Sequence, residues 1–131
     1  MLILGFYHEQ SRYDRDSYVK INFENIKKDG KSNFYKRQYQ DWQSITPYDY
    51  CSVMHYSEKA FAKVNHKMIS DQIVQFPAFK KWGLTTIEPL KPLKLKCGKI
   101  GQRKRLSKLD WKKINLMYNC RKWQFCSITL E

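Results

Sequence analysis

A glycine followed three positions later by a histidine, Gly5 and His8, constrains this chain more than any other feature. The pair opens the stretch GFYHEQSRYDRD, residues 5–16. Glycine lets a backbone turn back on itself without steric cost, and an imidazole carried just past such a turn can offer a nitrogen to a metal ion. Residues 5–8 therefore read as the closing end of a metal-binding turn. The 131 residues suit one modest domain, or part of one, and are too few for two comfortable ones. With 42% hydrophobic and 15% aromatic residues, disorder throughout is excluded.

Charge and cysteine content narrow the setting. The formal net charge is +13, and basic residues concentrate at residues 91–105, KPLKLKCGKIGQRKR, with smaller clusters at Lys27–Lys28 and Lys80–Lys81. Such a field attracts acidic partners: nucleic acid, a heparin-like polysaccharide or an acidic protein. No nucleic-acid recognition motif accompanies it, so nucleic acid is not an expected partner, whereas an acidic polysaccharide is. No run of about 18 apolar residues exists to cross a bilayer, and residues 1–7 are too short and lack the basic leader of a signal peptide. Cys51, Cys97, Cys120 and Cys126 form no C-x-x-C pair. Their even number suits two disulfides in an oxidising compartment, with three connectivities open.

Along the chain, residues 18–23 alternate apolar and polar as a short strand does, although residues 16–27 also fit a helix ending before Gly30. Residues 29–49 read as loop. Residues 51–56, CSVMHY, form a compact segment, and Pro77, Gly83, Pro89, Pro92 and Gly98 break any long element between residues 60 and 99. The clearest helix covers residues 109–118. Ser107 and Asp110 form a capping box with Asp in place of Glu, and Trp111, Ile114 and Tyr118, with Met117 beside them, make one apolar stripe.

Zinc hydrolases of the long-motif kind are written H-E-x-x-H-x-x-G-x-x-H, followed by a Met-turn. Gly5 and His8 occupy the last two fixed places of that pattern. Together GFYHEQSRYDRDSYVKINFENI, YDYCSVMHY and KIGQRKRLSKLDWKKINLMYNC resemble the astacin family of secreted zinc metalloendopeptidases, over about residues 3–120. The resemblance implies an α+β, zincin-like (metzincin) fold, here mainly the lower subdomain with irregular loops and a C-terminal helix. Residues 1–120 would be a partial peptidase domain and residues 121–131 a tail or linker. It makes His8 the third zinc ligand, Met54 the methionine of the Met-turn, and Tyr56 an additional ligand that also steadies the oxyanion. Glu9 matches the glutamate that links through a water to the mature amino terminus, and Cys120 the domain's last cysteine. His55 and His66 gain no role from these frames.

Three positions before Gly5 stands Leu2, which has no lone pair to offer where the second zinc histidine belongs. The first histidine and the general-base glutamate would precede Met1. The expectation is therefore a secreted, zinc-dependent endopeptidase acting on protein substrates, present as a truncated chain lacking the H-E-x-x-H part and inactive alone. The alternative is a non-catalytic basic binding or decoy module. Poorer burial, with apolar surface left exposed, is expected, and Cys120, lacking its family partner, is expected to pair with Cys126 or Cys97.

Overall fold

The computed structural model describes residues 3–38, 42–63, 84–91 and 95–120, with only the backbone of Trp42 and Gln43. Leu2, His66, Lys80–Lys81, Cys126 and the tail 121–131 lie outside the described residues. Among the described residues the architecture is mixed α and β with few regular elements: a two-stranded sheet, a series of short 3-10 turns and one α-helix.

Strand β1, Val19–Ile21, runs antiparallel to β2, Ile87–Pro89, pairing Val19 with Pro89, Lys20 with Glu88 and Ile21 with Ile87. The alternation read from residues 18–23 thus makes a strand and not the helix that residues 16–27 also allowed. Val19 is buried while Lys20 faces solvent, as a two-residue period requires. Buried Val19, Ile26, Phe34, Tyr48, Ile87 and Ile100 cluster as the apolar core.

Residues 29–49 are less irregular than expected. Lys28–Phe34 forms a 3-10 helix and Trp42–Ile45 another. The first is held at both ends by tertiary contacts that polar residues do not advertise. Phe34 is fully buried and its carbonyl accepts from the buried Arg15 guanidinium. Gly30 lies so close to Phe61 that an added Cβ would come within 2.8 Å of that side chain.

Helix α1, Lys108–Met117, starts with the expected capping box: Ser107 Oγ accepts from the Asp110 amide at 2.9 Å, and Asp110 Oδ2 accepts from the Ser107 amide at 3.0 Å. Its inward face differs from the apolar stripe. Trp111 and Tyr118 are 42% and 48% exposed, whereas Asp110, Lys113 and Ile114 are buried. Two charged residues, each with buried partners, turn the helix away from the orientation its apolar residues alone would select. Exposed large apolar side chains, Ile3, Phe61, Leu90 and Leu116 among them, agree with the expected incomplete burial.

A disulfide joins Cys51 to Cys97 across 46 residues. Cys97 is therefore not the partner of Cys120. Closing a loop of that length stabilises by about 4 kcal/mol through the unfolded chain.

Candidate functional site

The segment around Met54 is built from polar contacts. Cys51 N donates to Asp49 Oδ1 at 2.9 Å, and Ser52 N to the Asp49 carbonyl at 3.1 Å, closing a turn that the short aspartate side chain favours. The buried Asp110 of α1 reaches the next residues: its Oδ1 accepts from Ser52 Oγ at 2.6 Å and its Oδ2 from Val53 N at 2.9 Å. Ser52 Oγ in turn accepts from Met54 N at 3.0 Å. A single carboxylate thus caps a helix and fixes the turn that carries Met54, His55 and Tyr56.

The Met54 carbonyl is the hinge between this turn and the opening motif. It accepts from Glu9 N at 3.2 Å and lies 3.0 Å from His8 Nδ1. A carbonyl can only accept, so Nδ1 carries the proton and the Nε2 lone pair is left for another partner. Burial lowers the His8 pKa, against the pull of the Met54 carbonyl, and Arg103 lowers it further. The ring is accordingly neutral at neutral pH. Tyr56 packs against it, ring centroids 4.3 Å apart, with Phe34 and Phe61 at 5.6 and 5.7 Å from the tyrosine ring. Burial raises the Tyr56 pKa while Arg103 opposes, so the phenol stays protonated at neutral pH. The Tyr56 amide donates to the Oε1 of fully buried Gln10 at 3.1 Å.

Structure and sequence thus bring His8, Met54 and Tyr56 together. Glu9 points elsewhere. Fully buried, it receives Lys113 Nζ at 2.6 Å on Oε2, and Arg12 Nη1 at 3.1 Å and Asp49 N at 2.9 Å on Oε1. Burial pushes its carboxyl above the usual range, with Lys113 and Arg12 pulling the other way. Arg12 extends the network to Asp14 at 2.7 Å and to the Thr46 carbonyl at 3.0 Å. His55, also fully buried, has both ring nitrogens engaged: Nδ1 donates to the Tyr56 carbonyl at 2.7 Å and Nε2 accepts from Tyr48 Oη at 2.8 Å. Burial lowers its pKa to about 4.

Among the described residues no three His, Cys, Asp or Glu side chains converge on one point. His8 supplies one imidazole and Tyr56 one phenol. That donor set does not hold a catalytic zinc, which takes three protein ligands and keeps a fourth position open. Sequence reasoning assigned no role to Gln10, Arg103 or Lys113, and Asp110 only a capping one. Arg103 donates to the His55 carbonyl at 2.8 Å and projects its charge onto His8 and Tyr56. It lies within a quoted motif, but nothing in its spacing foretells a contact 48 residues away.

Comparison with known proteins follows the same residues. A family model for the astacin peptidases matches residues 1–79. High choriolytic enzyme 1 of Oryzias latipes is 42% identical over 118 residues, covering 90% of this chain and 36% of that protein. Zinc metalloproteinase nas-13 of Caenorhabditis elegans is 40% identical over 121 residues, 92% of this chain and 22% of that protein. The solved structure of the medaka hatching enzyme, a zinc-protease, superposes with a TM-score of 0.66 at 40% identity, covering 88% of this chain and 47% of that one. This chain spans about a third or less of the length of these curated relatives.

Proposed function

Because the chain belongs to the astacin family of peptidases, we propose that residues 1–120 form the carboxy-terminal part of a secreted zinc metalloendopeptidase unit that cleaves protein substrates. In this reading His8 is one zinc ligand, presenting Nε2. Tyr56 lies beside it as an additional ligand whose hydroxyl donates to the oxygen that gains charge on the scissile carbonyl. Met54 is the methionine of the Met-turn. The observation that carries the reading is the Met54 carbonyl, which holds the His8 proton on Nδ1 at 3.0 Å while Tyr56 packs on the same ring. Zinc supplies Lewis-acid activation of water in such enzymes, and the described residues do not by themselves complete its site. Glu9, paired with Lys113 and Arg12, is the residue to which the family resemblance gives a link through a water to the mature amino terminus.

The 131-residue polypeptide contains no H-E-x-x-H and is inactive by itself in this reading. Zinc content after dialysis, and a zinc titration of wild type, His8→Ala and His55→Ala, test it. Expected are substoichiometric zinc, weak binding lost in His8→Ala and kept in His55→Ala, and no cleavage of a denatured protein substrate. Stoichiometric retained zinc, or binding indifferent to His8, overturns it.

One observation favours a second reading, a non-catalytic module for acidic polysaccharide. Lys96, Lys104, Arg105 and Lys108 are exposed on one groove and form no ion pair among the described residues.

A further inference from the structure

Between the disulfide and the first turn of α1 runs a groove of about 990 Å³, whose walls carry Lys96, Lys104, Arg105, Lys108 and Trp111. Its one carboxylate among the described lining residues, Asp49, is buried and already satisfied: Oδ1 accepts from Cys51 N at 2.9 Å and Oδ2 from the Ser107 hydroxyl. The groove therefore sets four cations, Lys96, Lys104, Arg105 and Lys108, against this one buried carboxylate.

Its rim is held in place. Gln102 Oε1 accepts from the amides of Lys104 and Arg105 at 2.9 and 3.3 Å, while its Nε2 donates to the carbonyls of Cys51 and Arg105, both at 2.7 Å. This brace ties the basic turn to the disulfide-bearing segment and keeps like charges near one another. Lys112, one helical turn beyond Lys108, is exposed and continues the strip along α1.

A ligand with one or two carboxylates leaves most of these cations repelling each other. A linear polymer with closely spaced anions neutralises them together and gains by releasing its condensed counterions. The half-exposed Trp111 ring adds a flat apolar face, suited to the C–H side of a sugar ring and of no use to an anionic group alone. We propose that this groove binds a sulfated polysaccharide chain, with Lys104, Arg105 and Lys108 contacting sulfates and Trp111 packing on a sugar ring. The proposal deepens the second reading above and is independent of the residues around His8.

The test is calorimetric binding of size-defined heparin fragments to the full chain at several salt concentrations. Wild type should bind, with log affinity falling linearly against log salt. The triple variant K104A/R105A/K108A should lose tenfold or more in affinity, and about three units of that slope, one per removed cation. K27A/K28A, which removes two charges elsewhere, should stay within about threefold of wild type because screened, distant charges contribute little. W111A should weaken binding without changing the slope. Absence of heparin binding at low salt overturns both this site and the second reading. Binding that survives in the triple variant overturns the site alone. Poly-glutamate that binds as tightly as heparin, and is lost in the same variant, assigns the groove to an acidic protein and overturns the polysaccharide. If the triple variant unfolds, K104A and R105A singly should each remove about one unit of slope, and no change in either overturns the site.

Discussion

The two halves of this fold are held by opposite means. Around β1 and β2 the contacts are apolar: Val19, Ile26, Phe34 and Ile87 exclude water and require little directional accuracy. Around Met54 they are polar and buried, with Glu9, Arg12, Asp110 and Lys113 all at 2% exposure or less. Buried ion pairs are expensive to desolvate, and well-packed apolar residues often do as well or better for stability. What the polar half supplies is geometry. Asp110 fixes the turn, the turn aims the Met54 carbonyl, and that carbonyl sets the tautomer of His8. The apolar half provides stability and, through Phe34, packs on the Tyr56 ring, while the polar half provides the placement of His8.

That contrast can be broken most forcefully at Lys113. Lys113→Ala leaves Glu9 buried with one cation fewer and should cost about 3–5 kcal/mol, read as a fall in the thermal midpoint. It should also shift the NMR signals of His8, since the Glu9 amide shares the Met54 carbonyl with that ring. Adding Glu9→Gln should recover part of the loss, as members of one network are not additive.

Ile87→Ala sharpens the contrast from the other side. A fully buried isoleucine truncated to alanine should cost between about 2 and 5 kcal/mol. The His8 signals should stay in place, and their movement would mean that the two halves are not separable.

Acid should act through buried His55, whose Nε2 accepts from Tyr48. His55 has its pKa lowered to about 4 in the fold against about 6.5 in an unfolded chain. Between those values the unfolded chain binds a proton that the folded chain refuses, so stability is fully present above the unfolded value and is lost as pH falls through this window. The His55 contribution to the loss should be on the order of 3 kcal/mol, with His8 adding in the same direction and the raised carboxyl of Glu9 opposing it. Denaturant unfolding followed from pH 7.5 to 4 checks it, and His55→Phe should flatten the dependence.

The sequence disclosed what depends on neighbours in the chain. Ser107 and Asp110 are three residues apart, so their capping box was legible, as was the alternation that became β1. The face that α1 buries was not. Lys113 finds Glu9 across 104 residues, and no local pattern reports that a lysine has an acid waiting in the core. The loop read over residues 29–49 failed for a related reason: 3-10 turns fixed by Gly30 against Phe61 and by Arg15 on the Phe34 carbonyl carry no hydrophobic period. Cys51 and Cys97 likewise meet across 46 residues, a pairing that the sequence left open among three connectivities. The motif frames single out His8, Met54 and Tyr56, and the structure places them side by side through the Met54 carbonyl. Their supports, Gln10, Arg103 and Asp110 in its second role, are side chains whose partners lie 46, 48 and 57 or 58 residues away.

Through the Met54 carbonyl the polar half presets His8 with its proton on Nδ1 and its Nε2 lone pair open. Nitrogen-15 NMR of the three histidines reads it directly, since protonated and unprotonated ring nitrogens differ widely in chemical shift. At pH 7.5 without metal, His8 should be neutral with its proton on Nδ1, and Asp110→Ala should mix the tautomers by releasing the turn. A wild-type His8 protonated on Nε2, or one whose tautomer ignores the loss of Asp110, would contradict the account.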